Sequence, residues 1–208
     1  METKLATDLF NEWAINGKDI GMEKGHATAV GRMIEIAKEQ ILDINPSSSI
    51  LDIGCGNGWM LRKILSLYPK SSGLGIDGAH SMIQNAKKTD PSGNYQCANL
   101  NTWVSEDQYD LIITMEVLYY LDNPLDFIKT LFNNTLKDGG NIVVGMDHYK
   151  ENPVSLSWAS DLNVHMNTFS IEDWNSVFVD AGFSDIEFEQ YNKKENWEGT
   201  LIIRGTKK

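Results

Sequence analysis

Residues 51–60 have the sequence LDIGCGNGWM, in which an apolar run ends in glycines at positions 54, 56 and 58. A glycine loop between a strand and a helix lets the backbone approach a ligand closely. A nucleotide phosphate would suit such a loop, but Asp52 stands two residues before the first glycine, and a carboxylate repels phosphate. The stretch therefore predicts a strand, a ligand-binding turn and a helix, and it raises the question of which ligand the turn accepts.

Patterns typical of strands and helices alternate from about residue 49 onward. Strands are predicted at residues 49–53, 73–77, 95–98, 109–115 and 140–146, and helices at 58–67, 81–88, 125–136 and 171–181. Residues 137–139, KDG, are predicted to form the turn before the fifth strand. Such alternation indicates an α/β fold, with a mostly parallel sheet and right-handed crossovers. Residues 186–191 and 200–206 alternate without a helix between them, which predicts two strands paired antiparallel at one edge.

The first 48 residues stand outside this alternation. Apolar residues at positions 30, 33, 34, 37, 41 and 44 share one helical face, which predicts a helix packed on the sheet. Residues 10–26 are less regular and contain three glycines. A length of 208 residues suits one domain, with residues 1–48 as an N-terminal helical cap and residues 49–208 as the core. Residues 147–169 are predicted to cover the carboxyl edge of the sheet.

The net charge of −11 opposes binding to nucleic acid and to anionic lipid. No apolar run approaches the ~20 residues that span a bilayer, and the start METKLATDLFNEW lacks the pattern of a signal peptide. Cys55 and Cys97 form no C-x-x-C pair, and Cys97 is predicted to be part of the core. We therefore expect a cytoplasmic protein, a monomer or a homodimer, without nucleic-acid or membrane partners.

The spacing of the glycine loop distinguishes between nucleotide ligands. Position 59, where the dinucleotide fingerprint G-x-G-x-x-G has its third glycine, is Trp, and the Gly-Lys-Ser/Thr ending of a P-loop is absent from the sequence. Asp52 suits a ligand's amino group, and Asp77, at the end of the next strand, suits two ribose hydroxyls. A ligand with ribose and ammonium but no phosphate is S-adenosylmethionine. The alternative interpretation is a tight turn, with Asp77 as a helix cap.

Four motifs occur in order: LDIGCGNGWM, GLGIDGAHSMIQNAKK, YDLIITMEVLYYL and LKDGGNIVVGM. In this order they resemble the class I S-adenosylmethionine-dependent methyltransferases. The resemblance implies a Rossmann-like sheet of seven strands with helices on both faces and the last strand antiparallel. It also implies that Asp52 and the backbone of Gly54, Cys55 and Gly56 hold the methionine end of the cofactor, and that Gly58 starts the following helix.

The same resemblance assigns the rest of the cofactor site. It implies that Asp77 binds the ribose, that Gly78 and Met82 flank the adenine, and that Asn99 accepts from the adenine amino group. The remaining implied contacts are Leu100, Met115 and Glu116. Asn99 departs from the family, which often has an acid at this position.

The sequence says less about the methyl acceptor. MEVLYY follows the fourth strand where relatives acting on exocyclic or amide nitrogens carry Asn/Asp-Pro-Pro-Tyr/Phe, which disfavours such acceptors. We expect a small molecule, held in a pocket closed by the N-terminal segment and residues 147–169. A protein or RNA methyltransferase and a cofactor-binding subunit without turnover are the alternatives. The histidine spacing predicts no metal site.

Three residues are candidates for catalysis: His26, Tyr120 and His148. His26 is predicted to begin the helix before the glycine strand, either as a base facing substrate or as a partner of a carboxylate. His148 follows the fifth strand, where it would orient substrate or contact solvent. Tyr120 falls where related enzymes often place His or Tyr beside substrate. His165 is predicted to be structural, and His80 is predicted to be a surface residue of a helix.

Two further hypotheses concern the cover segments. Their many carboxylates would favour a cationic or amine substrate, although a solvated acidic surface is the simpler interpretation; the residues are Glu12, Asp19, Glu23, Glu116, Asp147 and Glu151. The glycines in residues 10–26 predict that this segment becomes ordered when cofactor binds.

Overall fold

A computed structural model describes residues 3–208. Its sheet has seven strands in the order β3-β2-β1-β4-β5-β7-β6. The strands are β1 Ser49–Ile53, β2 Ser72–Asp77, β3 Tyr95–Cys97, β4 Tyr109–Met115, β5 Leu136–Met146, β6 Ser184–Tyr191 and β7 Thr200–Thr206. Strands β1 to β5 are parallel, and β7 runs antiparallel to both β5 and β6. The predicted fold class is confirmed, including the antiparallel last strand.

Helices cover both faces of the sheet. They are α1 Ala6–Ile15, α2 Asp19–Ala37, α3 Trp59–Leu67, α4 His80–Thr89, α5 Pro124–Thr130, α6 Trp158–Leu162 and α7 Ile171–Ala181. Neighbouring residues of β4 point to opposite faces, so that Ile112 packs in the cluster with α5 and α7, and Ile113 in the cluster with α2 and α3. Among the described residues, no helix is long and apolar enough to cross a membrane.

The helix ends follow local sequence signals. The Asn123 side chain accepts from the Asp126 amide at the start of α5, with Pro124 in the first turn. At the start of α7, Ser170 and Asp173 form a reciprocal capping box. Gly182, with φ 105°, ends α7 in the left-handed conformation that favours glycine. These caps fix where the helices flanking the carboxyl edge begin and end.

Three local expectations were wrong. Residues 137–139 belong to β5 rather than to a turn, because a register shift opposite Tyr109 and Leu111 accommodates Gly139 at φ 79°. Residues 10–26 are mostly helical, so that His26 lies inside α2, which begins at Asp19. Cys97 is exposed rather than part of the core, because β3 is a three-residue edge strand with β2 as its partner.

The N-terminal residues contact two parts of the fold. Ala14 of α1 packs with Ala79 and Met82 near the start of α4. Lys4 forms a parallel bridge with Val164 in the segment after β5. The residues that precede α1 therefore contact the 147–169 segment, and the role of both as covers of the carboxyl edge stays a prediction.

Candidate functional site

A cavity of about 450 Å³ lies at the carboxyl ends of the parallel strands, beneath α1 and α2. This volume falls in the range of roughly 300–1,000 Å³ that is common for small-molecule sites. Eleven of the twelve residues predicted to bind cofactor line it, namely Asp52, Gly54, Cys55, Gly56, Asp77, Gly78, Met82, Asn99, Leu100, Met115 and Glu116. The parallel topology brings them together, because each predicted motif ends a strand at the same edge.

The glycine loop needs its glycines for two reasons. Gly54, Gly56 and Gly58 have φ values of 67°, 54° and 78°, which side chains rarely adopt. A Cβ at Gly54 would overlap the Val117 side chain, and one at Gly58 would overlap the Tyr95 ring. Gly58 does not line the cavity. It starts α3 in the left-handed conformation, as the resemblance implied.

Asp52 is a fully buried carboxylate on β1 at the edge of this cavity. Neither of its oxygens has a hydrogen-bond partner among the described residues. Burial, and then the nearby Asp77 carboxylate, raise its pKa to about 8. A buried carboxylate without a donor is costly, and a ligand ammonium group would supply both the charge and the donors. The site therefore fits the amino-acid end of S-adenosylmethionine.

Asp77 holds the loops around the cavity together. One of its oxygens accepts from the Gly56 amide at 2.9 Å and the other from the Ala79 amide at 2.7 Å, where α4 begins. Burial raises the pKa of Asp77 despite these two bonds. Each oxygen keeps a second lone pair. Asp77 therefore acts as a structural link in this state, and ligand binding by the same carboxylate remains a prediction.

The adenine side of the predicted site is packed against α1. A Cβ at Gly78 would lie 2.6 Å from the Thr7 side chain, so the N-terminal cap approaches the backbone closely there. Asn99 uses its side-chain oxygen to accept from the Asn101 amide at 3.0 Å. Cys55 is buried, and burial raises the pKa of its thiol well above the usual value, which disfavours a nucleophilic thiolate.

A cluster of ionisable groups lies at the other end of the cavity. Glu116 follows β4, and Asp147 follows β5; because these strands pair in register at Met115 and Gly145, the two acids become neighbours. His26 of α2 lies above them, with Nε2 3.7 Å from Asp147 Oδ2. One ligand atom from each of the three residues lies within 4.8 Å of the others. His26 and Glu116 line the cavity, and Asp147 stands behind them.

Hydrogen bonds hold Glu116 in one orientation. Its Oε2 accepts from the Tyr119 hydroxyl at 2.7 Å, and its Oε1 accepts from the Asp147 amide. Glu116 also has a φ of 61°, which is uncommon for a residue with a side chain and stores strain. Burial, and then the Asp147 charge, raise the pKa of Glu116 well above its usual value. Burial also raises the pKa of Asp147 and lowers that of His26.

The three predicted catalytic candidates differ in position. His26 and Tyr120 line the cavity, but His148 does not. His148 is fully buried, with Nδ1 3.0 Å from the Ser155 carbonyl oxygen and Nε2 2.9 Å from the Thr168 hydroxyl. The alternative that His148 contacts solvent is wrong, because the ring is buried and both its nitrogens face groups of the cover segment, whereas a role for His148 in orienting substrate stays a prediction.

The sequence analysis missed part of the cavity wall. Lys4, Phe10 and Trp59 line it, as does His165, which was predicted to be structural. His165 follows Val164, whose bridge to Lys4 joins the two cover segments. No spacing in the sequence signals this bridge, because it links residues 160 positions apart.

Comparisons with known proteins agree with the motifs. The family described as "Methyltransferase domain" matches residues 27–187. Malonyl-[acyl-carrier protein] O-methyltransferase 2 of Ilyobacter polytropus is 32% identical over 156 residues, which cover 72% of this chain and 60% of that protein. The chain thus spans about 60% of this relative's length.

Two solved structures share the fold. One comes from the complex of the Haloferax volcanii Trm112 methyltransferase activator with a methyltransferase; it has a TM-score of 0.83 and 23% identity, and covers 95% of this chain and 96% of its own. The other is the N-methyltransferase NodS of Bradyrhizobium japonicum bound to S-adenosylhomocysteine. Its TM-score is 0.65 and its identity 20%, with 84% and 85% covered.

Proposed function

Because the chain belongs to the class I S-adenosylmethionine-dependent methyltransferases, we propose that it methylates a small molecule held in the cavity beneath α1 and α2. One observation carries the cofactor part: Asp52 is a buried carboxylate without a hydrogen-bond partner among residues 3–208, at the end of a glycine loop. The small-molecule part is supported by the bridge between Lys4 and Val164, since Lys4 and the neighbouring His165 both line the cavity.

The cavity residues divide into two groups by their chemistry. Asp52 would accept from the ammonium group of the cofactor, Asp77 from its ribose hydroxyls, and the amides of the glycine loop would face its carboxylate. When bound, the cofactor supplies an electrophilic methyl group on a sulfonium. The chain's remaining task is to hold an acceptor about 3 Å from that methyl, in line with the breaking bond, and to exclude water. His26, Glu116 and Tyr120 lie on the wall available for this.

The cofactor assignment is tested by calorimetric titration with S-adenosylmethionine and S-adenosylhomocysteine. We expect both to bind the wild type, and Asp77→Ala to weaken both by 10-fold or more. Asp138→Ala is the matched control, because the Asp138 side chain is 89% exposed and far from the cavity in the β5 bulge. Wild-type protein that is folded and binds neither compound would refute the proposal.

A second candidate concerns a protein partner. The Haloferax structure contains the Trm112 activator, and its fold matches 95% of this chain. A small activating subunit is therefore a candidate partner, beside the predicted monomer or homodimer. Light scattering on the purified chain separates the two cases: a soluble, monodisperse protein that binds cofactor alone would argue against a required activator. The predicted cytoplasmic location stays a prediction.

A further inference from the structure

The charges around the cavity are strongly unbalanced. Five of the described residues that line it carry carboxylates: Asp19, Asp52, Asp77, Glu116 and Asp122. Lys4 is the one lysine or arginine in that same described lining, and its ammonium group already pairs with Glu12 at 2.5 Å. An anionic acceptor would therefore find no free guanidinium or ammonium group among these lining residues to bind it.

Three of these acids have other roles in the site. Asp52 and Asp77 belong to the predicted cofactor end, and Asp19 accepts from the side-chain amides of Asn57 and Asn85. Glu116 differs, because a second carboxylate, Asp147, stands directly behind it. Together with His26 they form the acceptor-end cluster, which opens to the cavity through His26 and Glu116.

The acceptor-end cluster contains no lysine or arginine, and its one basic group is His26, whose pKa burial lowers. Asp147 is nine-tenths buried, and its Oδ1 has no hydrogen-bond partner in the described part of the chain. Within residues 3–208, no lysine or arginine forms an ion pair with Glu116 or Asp147. Two adjacent buried carboxylates are stabilised by a cation between them or by taking up protons. The cluster therefore presents a binding site for a positively charged group.

The spacing of the cluster can be compared with what an ammonium group and a metal ion each require. Acceptors placed tetrahedrally at about 2.9 Å from a nitrogen stand about 4.7 Å apart. Ligands at about 2.1 Å from a metal ion stand about 3.4 Å apart or less. His26 Nε2 and Asp147 Oδ2 are 3.7 Å apart, and all three ligand atoms fall within 4.8 Å. The 3.7 Å separation lies nearer to the metal spacing than to the tetrahedral ammonium spacing, so the expectation of an ammonium group rests on the groups that line the cavity, and metal binding is one outcome of the test below.

We infer that the methyl acceptor is an amine nitrogen, bound as an ammonium group by Glu116 and Asp147 and deprotonated by His26. This inference rests on the proposed function. The N–H bond breaks and its proton passes to Nε2 of neutral His26. The freed lone pair forms the C–N bond while the C–S bond breaks and its electrons return to sulfur. The imidazolium that results is stabilised by the Asp147 carboxylate beside it.

An amine acceptor would distinguish this chain from its Ilyobacter relative. The Ilyobacter protein is named as an O-methyltransferase of malonyl-[acyl-carrier protein]. A malonyl group carries a carboxylate, which the acceptor-end cluster of this chain would repel. An amine acceptor and a carboxylate acceptor carry opposite charges, so a single binding experiment shows which of the two the cavity prefers.

The experiment measures affinity on protein saturated with S-adenosylhomocysteine. Matched sets of amines, alcohols and carboxylates on the same alkyl and phenylalkyl skeletons are titrated by calorimetry, and methyl transfer from labelled S-adenosylmethionine is followed in parallel. We expect amines to bind at least 10-fold tighter than their alcohol and carboxylate partners and to be the compounds methylated. We expect Asp147→Asn and Glu116→Gln each to reduce this preference 10-fold or more, and Asp147→Asn, which lies outside the predicted cofactor site, to keep the wild-type affinity for S-adenosylhomocysteine.

Glu151→Gln is the matched control. Glu151 is an acid of the same cover segment, but it is exposed and accepts from the Ile171 amide at the start of α7, away from the cavity. We expect it to keep the full amine preference. Thermal unfolding of each variant shows whether it is folded. If one of the two isosteric variants does not fold, the other still tests the inference.

Three results would overturn the inference. The first is tighter binding of alcohols or carboxylates, or no binding by any amine. The second is an amine preference that survives both substitutions. The third is binding of Mg²⁺, Mn²⁺ or Zn²⁺ alone that disappears in Asp147→Asn, which would make the cluster a metal site. If S-adenosylhomocysteine binds while the amines do not, the inference fails alone; if S-adenosylhomocysteine does not bind, the proposed function fails with it.

Discussion

The two ends of the cavity are built in different ways. At the glycine-loop end, residues close in sequence form the site: Asp52, Gly54 and Gly56 lie within one turn, and Asp77 ends the neighbouring strand. At the acceptor end, His26, Glu116 and Asp147 come from three segments separated by 90 and 31 positions. The first end is shaped by backbone conformation, and the second by the convergence of side chains.

This difference has a consequence for how each end tolerates change. The glycine loop depends on glycines that no residue with a side chain can replace, because the backbone has a positive φ and, at Gly54 and Gly58, neighbouring groups leave no room for a Cβ. A side-chain cluster depends on charge and hydrogen bonding, so isosteric substitution can alter its chemistry and leave the fold intact. We therefore expect the largest stability effects at the glycine loop and the smaller, ligand-dependent effects at the acceptor end.

Gly54→Ala is expected to give the largest loss of stability. A left-handed φ costs a residue with a side chain about 1–2 kcal/mol, and overlap with Val117 adds about 1–3 kcal/mol. We expect about 3 kcal/mol of lost unfolding free energy, measured by urea denaturation. Gly139→Ala is the control: φ is 79° there, but nothing lies within 4 Å of the added Cβ, so about 1 kcal/mol is expected. Equal losses for the two variants would contradict the importance of packing at the loop.

The glycine-loop end was also the more predictable from sequence. Local motifs specify where a strand ends and a turn begins, and parallel topology then brings these ends together, so that eleven of the twelve predicted residues meet at one cavity. The exception, Gly58, serves the backbone rather than the cavity wall. The parallel arrangement of the first five strands followed from the same alternation of strands and helices, whereas the order of the strands in the sheet was not predicted.

The acceptor end was much less predictable. His26 and Glu116 were named singly, but nothing in the spacing shows that α2 places an imidazole over the ends of β4 and β5. His148 was misplaced because position in a loop does not reveal which way a side chain points. Residues 10–26 were expected to be irregular, but tertiary packing of α2 against the sheet outweighs the weak helix propensity of Gly21 and Gly25.

Asp52→Asn tests the glycine-loop end through pH. In the folded protein without cofactor the pKa of Asp52 is raised from 3.8 to about 8. Its contribution to stability is therefore fully present below the unfolded value and is lost as pH rises toward about 8. We expect the ligand-free variant to equal the wild type at pH 4 and to exceed it at pH 8 by on the order of 2 kcal/mol. The measurement is thermal unfolding across this range.

Cofactor should reverse the Asp52→Asn result. An ammonium group beside Asp52 stabilises the carboxylate that burial destabilises, so saturating S-adenosylmethionine should stabilise the wild type at pH 8 more than the variant. Asp138→Asn, at an exposed position outside the cavity lining, serves as the control and should leave the stabilisation by cofactor unchanged. A variant that is no more stable than the ligand-free wild type at pH 8 would show that Asp52 is not held as a costly buried charge.

Tyr119→Phe is expected to have the smallest effect and tests the acceptor end. The Tyr119 hydroxyl donates to Glu116 Oε2 at 2.7 Å, and this bond favours the carboxylate form of Glu116. Its loss should raise the pKa of Glu116 further and cost about 1 kcal/mol of stability. Because an ammonium ligand requires an ionised Glu116, amine affinity should fall about 5-fold, as 1 kcal/mol predicts.

Tyr149→Phe is the control, since that hydroxyl donates to the Gly199 carbonyl at 2.9 Å, outside the cavity lining. It should lose similar stability and keep its amine affinity. A Tyr119→Phe variant with wild-type amine affinity would separate Glu116 from acceptor binding and leave His26 and Asp147 as the acceptor contacts.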